Sequence, residues 1–146
     1  LHSFPTRRSS DLCGCTVSVS DQPVSSPILE RYSTVVALNQ PSLDKYEPKV
    51  NPGGLLIWES TNIHHGPKRT DIKCVAIPAY DEANKLGNPL MMGMILLGAF
   101  IQKTEAISIE GVINGLKKTL PARRHDLIPL NEQALRRGYE LAEQIK

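Results

Sequence analysis

Val35-Val-Ala-Leu-Asn-Gln-Pro-Ser42 and Pro52-Gly-Gly-Leu-Leu-Ile-Trp58 carry the clearest structural signal in this chain. Each segment contains a short, nearly continuous apolar run, which is typical of a central strand covered on both faces. The first run ends at a polar Asn-Gln-Pro-Ser sequence, and a Pro-Gly-Gly turn introduces the second run. The pattern predicts two strands joined by a crossover that holds at most one helical turn, between residues 43 and 50.

Further strands and helices are predicted on both sides of this pair. Apolar and polar residues alternate over Cys15–Asp21, which indicates a half-buried strand, and residues 72–77 form an apolar run closed by Pro78. After that proline the apolar period lengthens to that of a helix. The first predicted helix spans residues 79–86 and ends at Gly87, and the second spans residues 90–103 and is capped by Asn88. A third helix is predicted after its cap Ser108, and a fourth begins at about Asn131. Pro121–His125 is predicted to be a loop. This order predicts an α/β fold, a three-layer α/β/α domain with a mostly parallel or mixed sheet.

The first twelve residues are predicted not to be native. From His2 onward, LHSFPTRRSSDL is the translation of a common sequencing-library adaptor in one reading frame. Foreign segments of this kind are not part of a protein's fold, which leaves residues 13–146 as the domain. The first strands of such a sheet would lie upstream of Cys13, so the sheet is expected to be incomplete on its amino-terminal side.

Composition limits the partners that the chain can bind. The net charge is only +2 and aromatic residues make up 5% of the chain, so neither a basic surface nor a stacking platform for nucleic acid is predicted. The longest apolar run, Leu90–Ile101, is too short to span a bilayer. Three cysteines, an odd number, argue against a disulfide framework. A cytoplasmic protein that binds neither nucleic acid nor membrane is therefore expected.

Polar residues just past the first central strand are the best candidates for a contact site. Asn39, Gln40 and Ser42 follow the carboxyl end of that strand, where ligands and partners meet open α/β sheets. The same residues also suit a polar turn and helix cap around Pro41. Both interpretations remain open from the sequence.

The basic segment at residues 123–125 is a second candidate. Arg123, Arg124 and His125 could together receive an anion such as phosphate, although a solvated basic loop is the commoner meaning of such a run. His64 and His65 are neighbours in an extended segment and would point to opposite faces. An exposed loop is therefore predicted for them rather than a metal site.

Catalytic and metal-binding constellations are absent from the sequence. Cys13, Cys15 and Cys74 lack the spacing of a four-ligand zinc or iron–sulfur site, and small buried cysteines are predicted instead. Asp81 and Glu82 fall in the first turn of a predicted helix, where the helix dipole favours acids, so a structural role is predicted for them. The sequence contains no glycine-rich phosphate loop and no nucleophile motif.

The order of these segments resembles the gamma subunit of 2-oxoacid:ferredoxin oxidoreductases. The similarity begins at Cys15-Thr-Val-Ser-Val-Ser-Asp21, continues through Ala37-Leu-Asn-Gln-Pro41 and Pro52-Gly-Gly-Leu55, and reaches Leu130-Asn-Glu-Gln-Ala134. Pro121-Ala-Arg-Arg-His125 is most similar to the 2-oxoglutarate type, with the pyruvate and ketoisovalerate types as close relatives. The family's glycine-rich N-terminal motif is missing and would fall where the adaptor begins.

The resemblance implies a role within a larger enzyme. In that family the whole enzyme decarboxylates a 2-oxoacid on thiamine diphosphate with Mg, passes electrons through iron–sulfur clusters to ferredoxin, and forms an acyl-coenzyme A. Alpha and beta subunits supply most of the thiamine site, and the clusters lie on beta- or delta-type subunits, so these subunits are the implied partners. This chain is expected to bind no cofactor by itself and not to be catalytic alone. The alternative is a free-standing α/β domain that binds an anionic small molecule or nucleotide through the residue 39–42 edge and the residue 123–125 loop.

Overall fold

The computed structural model describes residues 14–26 and 29–146. The described residues divide into two units, those up to Glu30 and residues 31–146. In the first unit the described residues form no helix or strand. The strand predicted for Cys15–Asp21 is therefore wrong. Its apolar alternation is real, but Val17 and Val19 are 75% and 93% exposed. A strand needs a neighbour to accept its backbone hydrogen bonds, and none pairs with this segment among the described residues.

The second unit is built on a three-stranded parallel sheet. Its strands are β1 (Tyr32–Ala37), β2 (Val50–Glu59) and β3 (Lys73–Ile77), in the order β1-β2-β3. The three strands predicted in this part of the chain are confirmed. Their runs of aliphatic residues suit strands that are covered on both faces.

The predicted Pro-Gly-Gly turn is a bulge inside β2 instead of a turn before it. Tyr32 pairs with Val50 and Thr34 with Leu55, so the register advances by two residues in β1 and by five in β2. Gly53 has a left-handed φ of 74°, as glycine allows. A Cβ at Gly54 would lie 2.9 Å from the carbonyl oxygen of Ser33, so only glycine fits there without a shift of the backbone.

The crossover between β1 and β2 is more helical than the predicted single turn. Helix α1 spans Gln40–Tyr46 and is followed by a 3-10 helix at Glu47–Lys49. The helix begins earlier than its apolar pattern indicates because Asn39 caps it and Pro41 occupies its first turn, where proline is tolerated. Buried Leu43 fixes the helix against the sheet.

Four α-helices follow β3, as predicted. They are α2 (Ala79–Lys85), α3 (Met92–Thr104), α4 (Ile109–Thr119) and α5 (Ile128–Glu143). Gly87 ends α2 with a φ of 84°, and Ser108 caps α4 through a hydrogen bond from the Gly111 amide. Asn88 caps a short 3-10 helix, Pro89–Met91, that leads into α3. The loop predicted at Pro121–His125 is wrong, because the segment 122–127 is a 3-10 helix that joins α5 directly.

The sheet lies between two apolar layers, which confirms the three-layer α/β/α prediction. On one face, residues of β2 and β3 such as Ile57 and Ile77 pack against α2, α3 and α5. On the other face, Leu43 of α1 and Ile63 and Ile72 of the β2–β3 loop cover β1 and β2. Helix α4 packs on the outer side of α3 and α5 through a third cluster around Ile113. In the described residues, no helix is both long and apolar enough to cross a membrane.

Candidate functional site at the carboxyl edge of the sheet

The carboxyl ends of all three strands lie at one edge of the sheet, because the strands are parallel. β1 ends at Ala37, β2 at Glu59 and β3 at Ile77. The loops and helix starts that follow these residues form the edge where open α/β sheets bind ligands and partners. This edge contains the predicted contact residues Asn39, Gln40 and Ser42.

Asn39 is the helix cap of α1, and Ser42 takes part only through its backbone amide. The Asn39 side-chain oxygen accepts a hydrogen bond of 2.9 Å from the Ser42 amide, which satisfies one of the free N–H groups at the start of α1. The cap interpretation of these residues is therefore correct for Asn39. The side-chain oxygen of Asn39 is therefore hydrogen-bonded within the chain, although the residue as a whole stays exposed.

Gln40 ties α1 to the loop between β2 and β3. Its oxygen accepts a hydrogen bond from the His65 amide at 2.9 Å, and its nitrogen donates to the His65 carbonyl at 2.9 Å and to Asp44 at 3.0 Å. The side chain thus bonds a loop backbone on both sides, as a neighbouring strand would. The Gln40 side chain is therefore held by three hydrogen bonds within the chain, two of them to the loop backbone.

Glu59 is the buried centre of the edge, and sequence reasoning missed it. This last residue of β2 is fully buried, and its two oxygens accept hydrogen bonds from the backbone amides of Thr61 (2.9 Å), Asn62 (2.7 Å) and Tyr80 (3.2 Å). Tyr80 lies in the first turn of α2, whose cap position is Pro78 and makes no side-chain cap bond. Glu59, at the end of β2, therefore caps the helix that follows β3. Its carboxylate occupies the place at the start of α2 where an anionic ligand would otherwise bind.

A second buried carboxylate holds the far end of the β2–β3 loop. Glu47 accepts hydrogen bonds from the amides of Lys68 (2.5 Å) and Arg69 (2.7 Å). The Arg69 guanidinium returns to the carbonyls of Glu47 (3.0 Å) and Val50 (2.6 Å), and it also pairs with Asp71. The loop is thereby fixed at its beginning, its middle and its end, by Glu59, Gln40 and Glu47.

The side chains that the edge leaves exposed are apolar or aromatic as well as polar. Leu38 is 39% exposed and Tyr80 is 37% exposed. His64 and His65 are also exposed, which confirms the prediction for this pair. Asn39, Gln40 and Glu59 are bonded within the chain, so the edge offers a preformed surface of mixed polarity rather than a charged pocket.

The basic segment at residues 123–125 lies elsewhere. Arg123 and Arg124 are exposed in the 3-10 helix before α5, and a ring nitrogen of His125 lies 2.9 Å from the Leu120 carbonyl oxygen. This segment joins the helical layer on one face of the sheet, whereas α1 packs on the other face. The two predicted groups of contact residues are therefore not brought together.

Cysteines do not behave as predicted. Cys15 and Cys74 are exposed rather than buried, and Cys13 lies outside the described residues. Partial burial of the Cys74 sulfur raises the pKa of that thiol, which keeps it protonated and weakly nucleophilic at neutral pH. In residues 14–26 and 29–146, no group of three or more His, Cys, Asp or Glu side chains could hold a metal ion. The donor set needed by a metal or an iron–sulfur cluster is thus not found in this part of the chain.

Glu82 joins α2 to α5 through an ion pair that the sequence did not reveal. Its buried carboxylate accepts from Arg137, 2.7 Å away, and from Lys85, 2.6 Å away. Hydrogen bonds from Arg137 and then Lys85 lower the pKa of Glu82 below its ordinary value of 4.5. Asp81, its neighbour, stays exposed in the first turn of α2, as the dipole argument predicts.

This ion pair gives the fold a defined response to acid. Between the lowered pKa of Glu82 and 4.5, the unfolded chain binds more protons than the folded chain. The stabilisation is therefore complete above about pH 4.5 and is lost as pH falls through the lowered pKa. Urea unfolding at a series of pH values should show a steeper loss of unfolding free energy in acid for the wild type than for Glu82→Gln. Equal slopes for the two proteins would contradict this role of Glu82.

Comparisons with known proteins agree with this fold. The sequence model of the family described as pyruvate ferredoxin/flavodoxin oxidoreductase matches residues 2–141. A ketoisovalerate oxidoreductase subunit VorA from Methanothermobacter thermautotrophicus is 28% identical over 131 residues, which cover 89% of this chain and 27% of that protein. A 2-oxoglutarate synthase subunit KorC from Methanocaldococcus jannaschii is 24% identical over 131 residues, which cover 88% of this chain and 68% of that protein.

A solved structure shows the same fold. The gamma subunit of a keto/oxoacid ferredoxin oxidoreductase from Geobacter sulfurreducens superposes with a TM-score of 0.68 at 24% identity, over 76% of this chain and 64% of that one. The chain spans about a quarter of the length of the ketoisovalerate oxidoreductase subunit that it matches. The match of the family's sequence model extends over most of the chain, from residue 2 to residue 141. The chain belongs to the pyruvate ferredoxin/flavodoxin oxidoreductase family.

Proposed function

We propose that this chain is the gamma subunit of a multi-subunit 2-oxoacid:ferredoxin oxidoreductase. The whole enzyme would oxidatively decarboxylate a 2-oxoacid, 2-oxoglutarate first among the candidates, and form an acyl-coenzyme A. The observation that carries the proposal is the family match over residues 2–141. Relatives named as ketoisovalerate oxidoreductase and 2-oxoglutarate synthase subunits support the substrate class.

The part we assign to this chain is that of a partner subunit in a cytoplasmic complex. Alpha and beta subunits, together with a delta-type subunit where one exists, would carry thiamine diphosphate, Mg and the iron–sulfur clusters, and ferredoxin would accept the electrons. This division fits the carboxyl edge, where Asn39, Gln40 and Glu59 are bonded within the chain while Leu38 and Tyr80 remain exposed. A preformed edge of mixed polarity suits a protein partner better than a small charged ligand.

Co-expression with the alpha and beta subunits tests the proposal. A tag on this chain should recover both subunits in fixed proportion, and the complex should reduce ferredoxin in a reaction that requires coenzyme A. Assays with 2-oxoglutarate, pyruvate and 3-methyl-2-oxobutanoate identify the substrate, and we expect 2-oxoglutarate to give the highest kcat/KM. Alpha and beta subunits that fail to associate with the tagged chain would refute the subunit role. A preference for another 2-oxoacid would change only the substrate.

The alternative, a free-standing domain that binds an anion, is less well supported. It requires the residue 39–42 edge and the residue 123–125 segment to meet at one ligand, and they pack with different layers of the fold. Glu59 also places a negative charge at the start of α2, which disfavours an anion there. Titration calorimetry with a nucleotide on the full chain would reveal such a site.

A further inference from the structure

A groove of about 690 Å³ opens where the turn between α3 and α4 meets the side of α5. Apolar and aromatic side chains that are buried or half-buried line its interior, namely Ile101, Ile109 and Tyr139. Ile107 lies in the same lining and is 46% exposed. Ile107 thus offers an exposed aliphatic side chain next to the apolar floor of the groove.

The rim of this groove is acidic. Glu105, Glu110 and Glu140 line it together with a single cation, Arg136, and Glu140, which stays exposed, also pairs with Arg137 at 3.4 Å. The Arg136 guanidinium already lies 2.8 Å from Glu132 and 3.9 Å from Glu110, so its charge is largely compensated. The carbonyl end of α3, which terminates at Thr104, adds further negative potential.

The amino end of α4 does not reverse this balance. Ser108 caps that end by accepting a 3.0 Å hydrogen bond from the Gly111 amide, and Glu110 lies in the first turn. Both groups offset the positive end of the α4 dipole. The groove therefore favours a cation-bearing occupant over an anion.

The groove is also preformed. Glu105 adopts a left-handed φ of 52°, and its amide donates to the Ile101 carbonyl at 2.8 Å, which ends α3 and sets the path of the turn. Helices α3 and α5 are in direct backbone contact at Gly98 and Gly138, so the walls of the groove cannot easily move apart. A rigid surface loses little conformational entropy when a partner binds.

We propose that this groove receives a basic segment of the alpha–beta complex, in which an aliphatic side chain packs on Ile107 and flanking Lys or Arg side chains face Glu105 and Glu140. This inference rests on the proposed function and assigns it a contact surface. The groove is built from α3, α4 and α5, and it is separate from the carboxyl edge of the sheet, which is formed by residues that follow β1, β2 and β3.

Calorimetric titration of the full chain into the alpha–beta complex tests the assignment. Ile107→Asp and the double variant Glu105→Lys with Glu140→Lys should each raise Kd at least about tenfold, since they remove an apolar anchor and reverse the complementary charge. The affinity of the wild type should fall as salt is added, and that of the double variant should depend less on salt. Both changes involve exposed side chains, so far-ultraviolet circular dichroism should be unchanged.

Two matched variants serve as controls. Leu127→Asp replaces another exposed aliphatic side chain, and Glu143→Lys reverses another charge on α5, and neither residue lines the groove. Both should bind with Kd within about twofold of the wild type. If the wild type binds and the groove variants bind equally well, the groove assignment is wrong while the subunit role stands. If the wild type itself does not bind, the proposed function fails.

Discussion

Replacing Gly98 by alanine should lower the free energy of unfolding by about 3 kcal/mol or more, although alanine is the better helix former. Gly98 lies in α3, where a Cβ would overlap the carbonyl oxygen of Leu135 and lie 3.0 Å from the Tyr139 amide nitrogen in α5. These are backbone atoms, so no side-chain rotation can relieve the overlap. The two helices would have to separate, which opens gaps in the core they share.

Gly93 provides the matched control, because it lies in the same helix with nothing within 4 Å of its missing Cβ. Gly93→Ala should raise the unfolding free energy by up to about 1 kcal/mol, the ordinary helix preference for alanine. Gly138→Ala should resemble Gly98→Ala, since its Cβ would overlap the Ile95 carbonyl oxygen. Urea denaturation of the three variants separates these cases. A Gly98→Ala protein as stable as Gly93→Ala would show that α3 and α5 do not pack backbone to backbone.

Local signals account for most of the fold that could be predicted. Aliphatic runs identified β1, β2 and β3, and the caps Asn88 and Ser108 and the stop at Gly87 identified helix ends, because each signal acts within a few residues. The same local reasoning failed at Cys15–Asp21. Alternation of apolar and polar residues predicts which face of a strand would be buried. It does not show whether a neighbouring strand is present to form the backbone hydrogen bonds.

The candidate site was harder to predict because its organisation is long-range. Gln40 and Ser42 lie at the predicted edge, but Gln40 bonds a backbone that is 25 positions away in the sequence. Glu47, Glu59 and Glu82 are ordinary acids in the sequence, and their importance follows from burial and from partners distant in the chain. The sequence carried one signal for Glu59, since an acid directly after an apolar run either faces solvent or accepts hydrogen bonds from backbone amides.

These contacts are the reason why the edge suits the partner surface that we propose. Asn39, Gln40 and Glu59 accept hydrogen bonds from the edge's own backbone amides, and this fixes the loops. Exposed Leu38 and Tyr80 are held on this fixed frame. Preorganisation of that kind lowers the entropy cost of binding a second protein. Substitutions that remove these hydrogen bonds should therefore lower both the stability of the edge and its affinity for the proposed partner.

Removing the Glu59 carboxylate should be among the most destabilising single changes in this chain. Glu59→Leu keeps a buried side chain of similar size but leaves the amides of Thr61, Asn62 and Tyr80 without their acceptor. With a cost of about 1 kcal/mol for each of these three partly buried amides, we expect a loss of about 3 kcal/mol of unfolding free energy. Glu59→Gln should lose less, because one amide oxygen can still accept while the NH2 group faces a donor.

Hydrogen exchange distinguishes this local effect from a general loss of stability. In Glu59→Leu the amides of Thr61, Asn62 and Tyr80 should exchange faster than those of β2, whereas a uniform destabilisation would accelerate all of them together. Glu143→Leu, a change at an exposed glutamate on α5, should alter the unfolding free energy by no more than about 0.5 kcal/mol. If Glu59→Leu were as benign as Glu143→Leu, the carboxylate would not be what holds the edge.

If the edge is the partner surface that we propose, Glu59→Gln should also weaken binding to the alpha–beta complex while Glu143→Leu leaves it unchanged, because loosened loops must be ordered again on binding.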